Sequence, residues 1–162
     1  VTSMDGLAFT GTVTFGDGES GANVIGVGGG NSYWEGIQIK FQGESIMLVD
    51  GSGATTANWG ILCNIGEQEI GKTLRNTPIN LKLTFQYVNL TDVRVSFFIE
   101  GVQYYDEIIE GLADRLAPTA LIYGGSVPIT VKSSSIPIIL PPIDFAEFGF
   151  TERWEYTLGL KK

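Results

Sequence analysis

The chain has no histidine and a single cysteine, Cys63. Without an imidazole, Ser–His and Cys–His nucleophile systems are excluded, because nothing is present to activate the hydroxyl or thiol in that way. A lone thiol cannot close a disulfide within the domain, and it offers zinc only one soft ligand. Cys63 alternates with Trp59, Ile61 and Ile65, which reads as a small buried hydrophobe rather than a nucleophile. Basic residues are also scarce: ten Lys and Arg stand against eighteen Asp and Glu, for a net charge of −8. Nucleic-acid binding draws its affinity from clustered cations, so no nucleic-acid partner is expected, and acidic membrane surfaces are disfavoured for the same reason. No apolar run approaches the ~20 residues that span a bilayer, so membrane insertion is not expected. Nothing at Val1 resembles a signal peptide, and a chain that opens on its first strand reads as a domain excised from a larger multidomain protein.

Charged residues of both signs make up only 17%, below the roughly 25% usual in a soluble domain. Their place is taken by 22 glycines together with Thr, Ser and Asn. Frequent turns and neutral polar strand surfaces account for that mixture. At 162 residues with 43% apolar content, the chain suffices for one domain, residues 1–162, with a core of its own.

Alternation with period two runs from end to end and sets the fold class. Leu7, Phe9, Val13 and Phe15 oppose Thr10, Thr12 and Thr14. Tyr33, Ile37, Ile39 and Phe41 oppose Gln38 and Lys40. Ile79, Leu81, Leu83, Phe85 and Tyr87 oppose Asn80, Lys82, Thr84 and Gln86. Further rows are Trp59–Ile65, Val93–Ile99, Ile129–Val131 and Trp154–Leu160. One apolar face per strand predicts an all-β, antiparallel two-sheet β-sandwich. Turns are expected at Asp17-Gly18, Gln42-Gly43-Glu44, Asp50-Gly51 and Glu100-Gly101. Helix is confined to one short turn near Glu110–Leu116, ended by Pro118. Gly28-Gly29-Gly30-Asn31-Ser32 lacks the Lys-Ser/Thr and the helix of a phosphate loop, and reads as a strand connection. The sequon Asn89-Leu90-Thr91 reads as a chance triplet.

Some large side chains break the pattern. Trp34 stands on the polar face of its strand with Gln38 and Lys40, and Phe98 shares a face with Arg94, Ser96 and Glu100. Tyr105 is out of phase with Tyr104. An aromatic on a polar face is either covered by a loop or offers a flat plate to a partner. Trp34, Gln38, Lys40, Arg94, Phe98 and Tyr105, with Asn31 and Asn58 in neighbouring loops, are therefore the candidate ligand-binding residues. Asp5, Asp17, Asp50 and Asp144 are the acids best placed to hold a structural calcium, although no run has specific ligand spacing. No other cofactor is expected.

The run Val93-Arg94-Val95-Ser96-Phe97-Phe98-Ile99-Glu100-Gly101, then Tyr104-Tyr105, Leu121-Ile122-Tyr123-Gly124-Gly125 and Ile129-Thr130-Val131, resembles the concanavalin A-like lectin/glucanase (laminin-G-like) jelly rolls. The opening Gly6–Val13 and the Trp34-Glu35-Gly36-Ile37 segment are more loosely similar to modules found in tandem in large surface proteins of gut Firmicutes. The resemblance implies a concanavalin-like jelly roll on an extracellular bacterial cell-surface protein. Its expected role is non-catalytic carbohydrate binding. The alternatives are an adhesin domain for a host protein such as an immunoglobulin or matrix component, a glycosidase-like enzyme, or a structural spacer. Glucanases of this fold carry spaced acid pairs, and the nearest approach here is Asp106-Glu107-Ile108-Ile109-Glu110. Glycosidases hold two carboxyls about 5–5.5 or about 6.5–9.5 Å apart. Asp106 and Glu107 would point to opposite faces of a strand, so no catalytic residue is assigned.

Overall fold

The computed structural model describes residues 8–18, 22–29, 32–51, 59–115, 119–123, 127, 129–136, 143–150 and 153–157; side chains are described for 9–18, 37–51, 60–114, 127 and 129. Among the described residues the chain forms twelve strands in two six-stranded sheets. Sheet A holds β1 (Ala8–Phe15), β6 (Ile79–Tyr87), β7 (Val93–Ile99), β8 (Val102–Ile109), β10 (Ile129–Ile136) and β11 (Ile143–Phe150), in the order β11-β10-β1-β6-β7-β8. Sheet B holds β2 (Ala22–Gly29), β3 (Ser32–Gln42), β4 (Ser45–Gly51), β5 (Trp59–Gly66), β9 (Thr119–Tyr123) and β12 (Arg153–Thr157), in the order β12-β9-β2-β3-β4-β5. Every ladder between these strands is antiparallel. The all-β two-sheet sandwich follows.

The core is the inner face of each alternating row. Ile79, Leu81, Leu83 and Phe85 of β6 meet Val93, Val95, Phe97 and Ile99 of β7 on one side, with Ile37, Ile39, Phe41, Ile46 and Leu48 on the other. Phe15 of β1 stacks on Phe41 of β3 at a centroid distance of 4.4 Å, joining the sheets. Arg75 closes the core beside that pair. Its guanidinium lies 5.1 Å from the Phe41 centroid, pairs with Glu44 at 2.6 Å and donates to the Gly16 carbonyl at 2.8 Å.

Turn chemistry fixes the register of two hairpins. Gly43 and Glu44 (φ 60° and 57°) join β3 to β4, and Glu100 and Gly101 (φ 52° and 78°) join β7 to β8. Positive φ at both central residues is the twist-matched geometry for a two-residue hairpin. The Asp50-Gly51 turn is corrected: both residues belong to β4, where the near-continuous apolar run Ile46–Val49 continues the ladder with β3 and β5. The short helical turn appears as a 3-10 helix at Leu112–Arg115, and one further turn of α-helix, α1, covers Glu67–Ile70. The β6–β7 loop is organised by Asn89, whose Oδ1 accepts from the amides of Thr91 (2.9 Å) and Asp92 (2.8 Å). Asp92 in turn accepts from the Gly111 amide at 3.0 Å.

Two bulges alter the phase where the edge strands β5 and β8 face each other. Leu48 pairs with Cys63 but Val49 pairs with Ile61, so Leu62 is the extra residue. Ile61 therefore leaves the row of Cys63 and Ile65 and is 61% exposed. Cys63 is half-buried at the margin of the core, and burial pushes its thiol pKa up. In β8 the register steps from Phe98↔Gln103 to Phe97↔Tyr105, leaving Tyr104 as the extra residue. Bulges of this kind disrupt an edge that would otherwise template pairing with another chain.

Candidate functional site

Among the described candidates, Gln38 and Lys40 lie on the outer face of sheet B, and Arg94 and Phe98 on that of sheet A. In β3, Ile37, Ile39 and Phe41 enter the core, so Gln38 and Lys40 point outward from sheet B. That face is closed at its centre. Gln38 is 0% exposed, its cross-strand neighbour Val49 is 1% exposed, and burial pushes the Lys40 ammonium pKa down. Gln38 is thus a buried polar residue rather than an open contact.

The outer face of sheet A is open. Register places Thr10, Lys82, Phe98 and Gln103 in one row across β1, β6, β7 and β8. Thr12 and Asn80 form the row on one side, while Thr84, Ser96 and Asp106 form the next on the other. Beyond these, Gln86 neighbours Arg94, and Arg94 neighbours Ile108. Of the sequence candidates, Arg94 and Phe98 share this face.

A shallow depression of about 310 Å³ lies on this face, lined by Thr10, Thr12, Asn80, Lys82, Phe98 and the backbone around Gly101. Phe98 is half-buried, and the Lys82 ammonium rests 5.4 Å from its ring centroid. Thr12 donates from Oγ1 to Asn80 Oδ1 at 2.8 Å, and the Asn80 side-chain nitrogen is a further donor on this face. Glu100 holds the rim, accepting from the Asn80 backbone amide at 2.8 Å and pairing with Lys72 at 3.3 Å.

Arg94 and Asp106 form a two-pronged pair further along. Nε donates to Oδ1 at 2.7 Å and Nη2 to Oδ2 at 2.6 Å, and Ser96 Oγ adds a third bond at 3.0 Å. The Arg94 guanidinium, with Ser96 beside it, holds the Asp106 carboxyl at about 2. Glu107 pairs with Val95 and so leaves the strand on the opposite side, as its spacing implies.

Tyr105 does not join Phe98. The β8 bulge sets it opposite the buried Phe97, and it packs with Tyr104 against the core margin. Burial pushes the phenol pKa up, with the charge on Glu107 adding to it. Among the calcium candidates, Asp17 is exposed and accepts from Asn76 Nδ2 at 3.2 Å, while Asp50 lies half-buried within β4. No three acids, cysteines or histidines converge among the described residues. Asp144 is placed only by its backbone in β11, opposite Ser135. Asp5, Asn31, Asn58 and the Trp34 side chain lie outside the described residues. Thr10, Thr12, Asn80 and Lys82 were visible in the sequence as polar members of alternating rows, but nothing there showed that they surround Phe98.

No protein family, characterised protein or solved structure matches this chain.

Proposed function

We propose that this domain is a non-catalytic carbohydrate-binding module of an extracellular bacterial surface protein, and that its sugar docks on the outer face of sheet A. The observation that carries the reading is the depression around Phe98. An aromatic ring lies on the polar outer face of the sheet near the β7–β8 hairpin, flanked by hydroxyl, amide and ammonium groups. A sugar offers an apolar C–H face and a ring of hydroxyls, and this arrangement pairs a ring with hydrogen-bonding groups in the same way. The carboxylate at hand, Asp106, is held ionised by Arg94 and is poorly suited to give up a proton as a general acid near neutral pH.

A second reading, capture of a host protein such as an immunoglobulin or matrix component, is favoured by the exposed apolar residues Val88, Leu90 and Ile108, with Leu90 74% exposed. A glycan array run beside immunoglobulin and fibronectin binding separates the two. Glycan binding lost in Phe98→Ala and kept in Leu90→Asp supports the sugar site. Protein binding with the opposite dependence replaces it.

A further inference from the structure

Among the described residues, three cations of this region have carboxylate partners: Lys72 with Glu100, Arg75 with Glu44 and Arg94 with Asp106. Lys82 makes no ion pair among the described residues. Its ammonium instead lies over the Phe98 ring, in a depression whose described lining residues include no acid. Of the described acids near the depression, Glu100 at its rim pairs with Lys72 and accepts from the Asn80 backbone amide, and Asp106 pairs with Arg94 and accepts from Ser96. In a chain with eighteen acidic and ten basic residues, Lys82 is the one charged side chain among the described residues that line the depression.

We infer that the site takes an acidic sugar, specifically a hexuronate residue of a polysaccharide, and that Lys82 selects its carboxylate. The inference rests on the sugar-binding reading of this face. A hexuronate carries its carboxylate directly on a ring carbon, so a C–H face and a negative charge lie side by side. The site has the same pairing, a phenyl ring and an ammonium 5.4 Å apart. Lysine's flexible four-carbon stem lets the ammonium leave the ring for the carboxylate, a stronger partner than the ring's quadrupole. The side-chain amide of Asn80 and the hydroxyl of Thr10 can hydrogen-bond sugar hydroxyls beside it. The overall charge of −8 does not prevent this, because exposed charges beyond about 8 Å are largely screened at physiological salt. A volume of about 310 Å³ lies at the small end of ligand sites and suits a short stretch of sugar.

Oligosaccharides of galacturonate, mannuronate and glucuronate, compared with their methyl esters by calorimetry, test the assignment. The ester keeps the ring and removes the charge. The protein is expected to prefer the acid form of at least one by about tenfold, the size of one charge-assisted hydrogen bond. Lys82→Gln should bring that ratio to about one, and Lys82→Arg should preserve it. Equal affinity for acid and ester, a preference that survives Lys82→Gln, or equal binding of dextran sulfate would overturn the hexuronate assignment. If neutral glycans bind through Phe98 while all three uronates fail, this inference falls and the sugar site stands. If no glycan of either charge binds, the sugar-binding reading itself falls.

Discussion

Phe97 and Phe98 are adjacent in β7, and truncating each to alanine should have opposite consequences. Phe97 is fully buried, facing Leu83 on β6 and Tyr105 on β8 within the core. Removing a buried phenyl ring typically costs about 3–5 kcal/mol, through lost transfer free energy and the cavity left behind. For a domain of this size each kcal/mol lowers Tm by roughly 2–4 °C, so Phe97→Ala should fall by about 6–20 °C. Phe98 lies half-exposed on the outer face, and its described ring contact is the Lys82 ammonium. Losing that contact costs about 0.5–1 kcal/mol, so Phe98→Ala should stay within about 4 °C of the parent. Differential scanning calorimetry of both variants reads the contrast directly. Equal losses would refute the phase assigned to β7, and with it the placement of the depression on an outer face.

Other positions give independent checks. Gly101→Ala should cost about 1–2 kcal/mol in urea denaturation, with Gly101→Asn milder, because φ is 78° and an added Cβ would meet nothing within 4 Å. Arg75→Ala should cost about 1–3 kcal/mol, since it removes a carbonyl hydrogen bond, the Glu44 pair and a ring contact together. Arg75→Lys should recover only part of this loss, because an ammonium cannot reproduce the planar fork. Asp106 has a folded pKa of about 2, below the unfolded value of about 3.9. Its contribution is therefore present above about pH 4 and is lost as pH falls through about 2. Denaturant midpoints measured down to pH 1.5 should fall less steeply in Asp106→Asn than in the parent.

The strands legible in the sequence were those whose alternation is uninterrupted. β6 and β7 carry strict inward and outward rows, and the Gly43-Glu44 and Glu100-Gly101 turns mark where their hairpins and that of β3 reverse. β2 was obscured by glycine, which removes the side chains that would show a period, and β4 by a near-continuous apolar run with no polar partner face. In β5 and β8 a single extra residue moved the phase of everything beyond it. Ile61 consequently turned outward and Tyr105 inward, against the simple count. The site was half legible for the same reason. Arg94 and Phe98 sit on an unbroken strand, and both lie on the open face as their phase implies. Gln38 also has the expected phase, but burial of an outer face is a tertiary property that alternation does not encode.

A sugar site on the outer face of sheet A can be located by mapping amide chemical shifts during titration with a glycan that binds. Shifts should concentrate at Thr10, Thr12, Asn80, Lys82 and Phe98, with Gln38, Lys40 and Met47 on the other sheet unmoved. Shifts concentrated on β3 and β4, or at the Val88–Leu90 loop with the Phe98 face silent, would contradict it.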